Sequence, residues 1–458
     1  MRRLVPVLLT VVVVMSASNA LASTSGAASA TGTAASYIVV FKKTVTNPGA
    51  VAPAQGRAHG FQARFVYSHA LKGYAASLSP AEVSTIAADP NVSYVVPDAP
   101  VHAAAFPCAA PLISQQCLPN WAPRIDAQQS STRSDDGTGT VNINVAVVDS
   151  GIDVTHPDLN VVGGVNCSNG HSFADAFGHG TAVAGIIGAK DNTFGVVGVA
   201  PGANLWSVRV LNNKNTGSES SILCGIDWVT GTRTDTDPAN DIAVANMSLG
   251  GNGKGDDGNC GFTRQDTMHK AICASVAAGV TYVVAAGNDA ADFRNTRPAA
   301  YHEVLTATAM DDTDGTPGGL TPPSPSGCGQ HTGDDVFASF SDFATLPADL
   351  AHTVAAPGVC DLTTARLAAC ATSANPQPTQ CYTTGTGTSF ASPAVAGTVA
   401  LCIANGPCAG LTPAQIVQKI VADAQAYNTK NSGYGFVGDP IRPVTGKYYG
   451  YLIHAGSY

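Results

Sequence analysis

Five apolar runs constrain this chain most. Residues 143–148, 204–210, 242–247, 280–286 and 304–309 each read as a short buried strand. Helical runs fall between and after them, at residues 181–189, 221–229, 267–278 and 389–404. Apolar strands alternating with helices predict a parallel sheet covered by helices on both faces, an α/β architecture. In such a sheet a ligand site is expected beyond the carboxyl ends of the strands.

A smaller unit precedes this pattern. Residues 37–41, 64–67, 73–78 and 92–96 read as strands, with helices near residues 53–61 and from Pro80. The order β-α-β-β-α-β predicts a ferredoxin-like α+β module. It has no cysteine and is small, so it is expected to need a partner surface.

The extreme amino terminus has the make-up of an export signal. Arg2 and Arg3 precede an apolar stretch at 4–15, then Ala20-Leu21-Ala22 offers a small-residue cleavage site. A Ser/Ala/Thr/Gly leader follows to residue 35. The expected division is therefore signal 1–22, leader 23–35, small module 36–103 and main domain 104–458. A secreted, extracellular protein is expected, and its twelve cysteines, an even number, fit disulfides. Cys370–Cys381 and Cys402–Cys408 are the short-range candidates. A net charge of −9 disfavours nucleic acid or an anionic membrane as partner.

Four residues stand at element boundaries where chemistry can be presented. Asp149 ends the first apolar strand of the main domain. His179 lies in Gly-His-Gly-Thr at a helix start, and Asn288 in Ala-Ala-Gly-Asn after a strand. Ser389 sits in Gly-Thr-Gly-Thr-Ser-Phe-Ala-Ser-Pro, with Pro393 expected in the first turn of the following helix. Taken singly, each is an ordinary turn or cap residue. Together they supply a carboxylate, a base, an amide donor and a nucleophile.

The blocks Val147-Val148-Asp149-Ser150-Gly151, Gly178-His179-Gly180-Thr181 and Gly387-Thr388-Ser389-Phe390-Ala391-Ser392-Pro393 resemble those of the subtilisin-like serine proteases, with the proteinase K branch closest. The resemblance covers the chain from about residue 103 onward. It implies Ser389 as nucleophile, His179 as general base and acid, Asp149 as its orienting carboxylate, and Asn288 in the oxyanion hole. It also implies that the module at 36–98 is an inhibitory propeptide, with residues 99–106 as the first substrate. Peptides would bind as an added strand on Ser248, Leu249, Gly250 and Gly251, beside a pocket that includes Ala285, Ala286 and Gly287. Both segments are uncharged, so apolar or aromatic side chains are expected before the cut. No cofactor is expected for catalysis, and a monomer is expected. Structural calcium is an expectation of the resemblance too, with Asp153, Asp158 and the group Asp311, Asp312 and Asp314 offering oxygens.

The chain departs from the family pattern in its cysteine count and in two segments that read as surface insertions, 311–335 and 361–383. A lipase-type hydrolase would need the serine first and a Gly-x-Ser-x-Gly turn, which are not here. The alternative of a different class is a catalytically silent, secreted binding protein that keeps the fold.

Overall fold

The computed structural model describes residues 34–98, 100–103, 109–110, 116–137, 139–318, 328 and 330–458. The expected signal and nearly all of the leader lie outside them. The main domain is built on a nine-stranded sheet. Its order runs Tyr451–Leu452, Thr353–Pro357, Leu305–Asp311, Thr281–Ala285, Val244–Met247, Asn144–Asp149, Asn204–Arg209 and Val161–Asn166, all paired in parallel. A short strand, Val336–Phe337, adds antiparallel to Leu305–Asp311.

The apolar runs are continuous because both faces are covered. Along Asn144–Asp149, Val145 and Val147 enter one core while Ala146 and Val148 enter the other, the two-residue period of a strand. The first core takes in the helices His179–Gly188, Thr388–Asn405 and Pro413–Lys430. The second lies under Glu219–Thr232 and Thr267–Ala277. Asn144–Asp149 is flanked by a strand later in sequence on either side, so the chain reverses its winding direction here. Loops leaving the carboxyl ends diverge at such a point and open a crevice.

The amino-terminal module has the expected element order. Its sheet runs Ala63–Tyr67, Gly73–Leu78, Ala35–Phe41, Val92–Pro97, antiparallel throughout. Val39, Phe41, Tyr74 and Ile86 form a small core under its own two helices. The opposite sheet face carries Ile38, Val40, Tyr67 and Ala75, which join the second core of the main domain against Leu223 and Ile226. The partner surface anticipated from size is thus the Glu219–Thr232 helix.

Polar contacts fix that docking. The buried Asp227 carboxylate accepts backbone N–H groups of Ser68 (3.1 Å), His69 (2.7 Å) and Ala70 (2.9 Å). Asp98 Oδ1 accepts from Ser220 N at 2.5 Å, placing a carboxylate at the start of the same helix. Replacing Asp227 with Ala leaves three partly buried N–H groups unsatisfied, a loss of roughly 1–3 kcal/mol. With the chain cut between the module and the main domain by an added protease site, we expect the module to be released roughly ten- to a hundredfold faster, followed by size-exclusion. Unchanged release would mean that the apolar face alone holds it.

Several expectations need correction. Pro393 is not in the first turn: the helix begins at Thr388 and Pro393 lies inside it. Asp311 is the buried last residue of a strand, not the start of an insertion. The segment 361–383 is a surface feature only in its middle, where residues 371–377 are exposed. Its ends are buried strands, Asp361–Thr364 and Tyr382–Gly385, paired antiparallel. Thr363 and Thr364 donate their hydroxyls to the carbonyls of Ala182 and Thr181, so this hairpin supports the His179 helix from below. The last strand of the sheet is only Tyr451–Leu452, and the Pro413–Lys430 helix is tied to it by the buried Asn428, which donates to Leu452 O at 2.8 Å.

Five disulfides are formed: Cys167–Cys224, Cys260–Cys273, Cys328–Cys360, Cys370–Cys381 and Cys402–Cys408. Among the described residues Cys117 is in no disulfide; Cys108 lies outside them.

Candidate active site

Asp149 closes its strand at the carboxyl edge of the sheet and is fully buried. Its Oδ1 accepts from Ser150 N at 2.6 Å, and its two oxygens lie 2.8 and 2.9 Å from Nδ1 of His179. A carboxylate on Nδ1 sets the tautomer and directs Nε2 away from it. His179 opens its helix after Gly178, whose φ of +127° suits only glycine.

Asp175, four residues before His179, was not foreseen. Its Oδ1 accepts from Phe177 N (2.9 Å), Gly178 N (2.7 Å) and Ser150 Oγ (2.8 Å), and Oδ2 from Thr181 N (3.0 Å). Burial pushes its carboxyl above the usual carboxylate range, and the hydrogen bonds from Thr181, Phe177 and Ser150 pull it back. The Ser150 hydroxyl in turn accepts Gly180 N at 3.0 Å. Asp175 thus caps the helix that carries the imidazole and ties it to the strand that carries Asp149. An Asp just before a helix start was the available signal.

Ser389 stands in the first turn of its helix, after Gly387 with φ +146°. The ring of the next residue, Phe390, meets the His179 ring edge-on at 5.7 Å between centroids. Ser389 Oγ donates to Ser248 O at 3.2 Å, and Ser248 Oγ donates to Ser389 O at 2.8 Å. The second bond follows from Pro393. In an α-helix the carbonyl of Ser389 would accept from residue 393, which has no N–H.

Asn288 follows the Thr281–Ala285 strand by three residues. Its Oδ1 accepts from Thr388 N (2.8 Å) and lies 3.1 Å from Thr388 Oγ1. With the oxygen held there, the side-chain NH₂ is the donor end, with no hydrogen bond to another described residue. Asp342 steadies the loop by accepting from Asp289 N and Ala291 N, each at 2.9 Å.

Of the expected peptide-binding residues, Ser248 and Leu249 have buried side chains, while Gly250 and Gly251 are half-buried. Leu249 and Gly250 pair antiparallel with Ala103 and His102 of the strand Pro100–Ala103. A second wall was missed: Thr216, Gly217 and Ser218 pair antiparallel with His102, Val101 and Pro100 on its other side. The chain's own segment is therefore the middle strand of a slot. Nothing in Thr-Gly-Ser marked the second wall, because its partner is far away in sequence. Ala285 and Ala286 are buried, and Gly287 is half-buried, with its N–H given to Thr388 Oγ1 at 3.1 Å.

The acidic residues do not gather as expected. Asp153 accepts from Thr155 and Leu367. Asp158 accepts from Asn192, Val196 and Tyr382. Asp311 is held by His331 Nδ1 at 2.6 Å. Asp312 and Asp314 instead approach Asp334, with one oxygen from each lying within 4.8 Å of the others. Asp312 Oδ1 and Asp334 Oδ2 are buried without a hydrogen-bond partner among the described residues, though Arg124 Nε stands 3.5 Å from Asp312 Oδ1.

Comparison with known proteins bears on all of this. The subtilase family profile, Peptidase S8, matches residues 140–437, and the peptidase inhibitor I9 profile matches residues 36–104. Subtilisin DY of Bacillus licheniformis is 33% identical over 313 residues, covering 68% of this chain and 92% of that protein. Subtilisin NAT of Bacillus subtilis subsp. natto is 31% identical over 427 residues, covering 91% of each. A crystal structure of a cold adapted subtilisin-like serine proteinase, 26% identical, covers 70% of this chain and 90% of that one at a TM-score of 0.46. That overlap carries no weight for the fold, which stands on the strand order and the family match. The chain belongs to the subtilase family of serine peptidases, with an inhibitor I9 propeptide domain ahead of the peptidase domain.

Proposed function

We propose that the chain is an exported zymogen, an endopeptidase that cuts off its own propeptide through Asp149, His179 and Ser389. One observation carries this reading: residues 100–103 lie as a strand between the two walls of the slot that leads to Ser389. An inhibitory segment bound by β-augmentation is bound as a substrate would be. No observation favours the silent-binder alternative.

In this reading Ser389 Oγ turns from Ser248 O toward His179 Nε2 and attacks the peptide carbonyl as the imidazole takes its proton. Asp149 stabilises the imidazolium. Asn288 Nδ2 and the Ser389 N–H hold the oxyanion. His179 then protonates the leaving amine, and water hydrolyses the acyl-enzyme. Catalysis takes no cofactor, as in subtilisins.

Register gives the cut. Ala103 pairs with Leu249 and His102 with Gly250, so a peptide that kept this register for one more residue would present the residue after Ala103 to Ser248, and we infer the cut to follow Ala104. The proposed division is signal 1–22, leader 23–35, propeptide 36–104 and a monomeric peptidase from Ala105, one residue beyond the boundary expected from sequence. The amino terminus of the mature chain tests it: any start other than Ala105 rejects this register.

The wall at 248–251 and the pocket segment 285–287 carry no charge, so apolar or aromatic residues before the cut are favoured over Lys or Arg. A panel of peptides varied at that position measures this. Cleavage after Arg equal to that after Phe or Leu would sink the preference.

The same family reading includes structural calcium. Its support here is the set Asp312, Asp314 and Asp334, hard carboxylate oxygens of which two are buried without a hydrogen-bond partner among the described residues, one of them 3.5 Å from Arg124 Nε. We expect Asp334→Asn to abolish a calcium-dependent rise in melting temperature. A rise of equal size in the variant would place calcium elsewhere.

A further inference from the structure

At the opposite edge of the sheet, away from the crevice, His302, Asp349 and His352 bring one ligand atom each within 4.8 Å of one another. We infer that they form a zinc site, with an Asp-x-x-His pair from one turn and a histidine from the neighbouring one. Asp349 and His352 immediately precede the strand Thr353–Pro357, and His302 precedes the adjacent parallel strand Leu305–Asp311. A bound ion would staple the amino ends of two neighbouring strands.

Two observations besides the grouping point to a cation. His352 is 2% exposed, and its Nε2 is buried without a hydrogen-bond partner among the described residues. Asp349 is also 2% exposed, and its Oδ2 is in the same condition. Both atoms are lone-pair donors. The tautomer of His352 follows from Thr306, whose hydroxyl gives its one hydrogen to Ala299 O at 2.8 Å. Its oxygen can therefore only accept from His352 Nδ1 at 3.3 Å, so Nδ1 carries the proton and Nε2 the lone pair. A buried imidazole lone pair beside a buried carboxylate oxygen, with no donor for either, costs free energy that a cation removes.

His302 completes the set in the way metal-binding histidines are held. Its Nε2 is 3.3 Å from Asp349 Oδ1, and its Nδ1 is 3.6 Å from Asp256 Oδ1. A carboxylate behind one nitrogen orients the other toward an ion. Two imidazoles and one carboxylate suit zinc and not calcium, which takes six to eight oxygens. The His302 side chain is 39% exposed, leaving an open side where water serves as fourth ligand. Zinc bonds of about 2 Å require the widest pair to close by roughly 1–1.5 Å, which this exposed side chain can supply.

The test uses the full-length Ser389→Ala chain, stripped with a chelator and titrated with zinc, then with cobalt for its visible spectrum. The expected result is one equivalent bound, a tetrahedral cobalt band, and a melting temperature that rises with zinc concentration and then saturates. His302→Ala, a change at the exposed ligand, should weaken zinc at least tenfold and lose the band while the metal-free melting temperature stays near that of the parent. Asp349→Asn should do the same if it folds. No saturable zinc uptake overturns the inference. Uptake and spectrum unchanged in His302→Ala also overturn it, assigning the zinc to another place such as Cys117.

Discussion

Alanine in place of Ser389 should leave the propeptide covalently attached, while the parent protein loses everything before Ala105. Intact mass of the two purified products reads this directly. Removing Oγ removes the only atom proposed to form the acyl-enzyme, and the Pro100–Ala103 strand stays in its slot, uncut. Peptide hydrolysis should fall by roughly a million-fold, the size of the same change in subtilisin itself and not a figure taken from distances here. Each other outcome has a distinct meaning. Equal processing of both proteins would assign maturation to a different protease. Processing of neither would return the silent binder to first place.

Alanine in place of Asn288 should lower kcat by roughly a hundred- to a thousand-fold with KM little changed, again a magnitude known from subtilisin. The physical case rests on how the amide is held. Thr388 N and Oγ1 occupy the side-chain oxygen, so the donor end is the one left for a substrate. A donor that meets the oxygen only once it carries charge stabilises the transition state and not the bound ground state. Steady-state kinetics of the processed variant separate the cases. A raised KM with unchanged kcat would make Asn288 a substrate-binding residue and remove it from the oxyanion hole.

Much of the fold was legible because its signals are local. The five apolar runs became five parallel strands, and Gly73–Leu78 was placed residue for residue. Cys370–Cys381 and Cys402–Cys408 were foreseen because short loops close readily. Cys167–Cys224, 57 residues apart, is joined by packing that no local pattern encodes. The same reason hid Thr216–Ser218 as a slot wall and the pairing of Asp361–Thr364 with Tyr382–Gly385. Asp149, His179, Asn288 and Ser389 stood out through their short motifs, and the structure brings His179 onto Asp149 and Asn288 onto Thr388. Asp175 and Asp342 escaped notice because each works through backbone N–H groups, which look alike in every sequence.

The proline inside the Ser389 helix has a mechanical consequence. Because residue 393 offers no hydrogen, the Ser389 carbonyl is fastened to Ser248, a wall of the peptide slot, and not to its own helix. In the proposed reading, attacking group and peptide track therefore share one anchor and would shift as one body when the slot widens or narrows around different side chains. In that reading the backbone ladder sets which bond faces Ser389, and the side chain before the cut sets how well a peptide is held there.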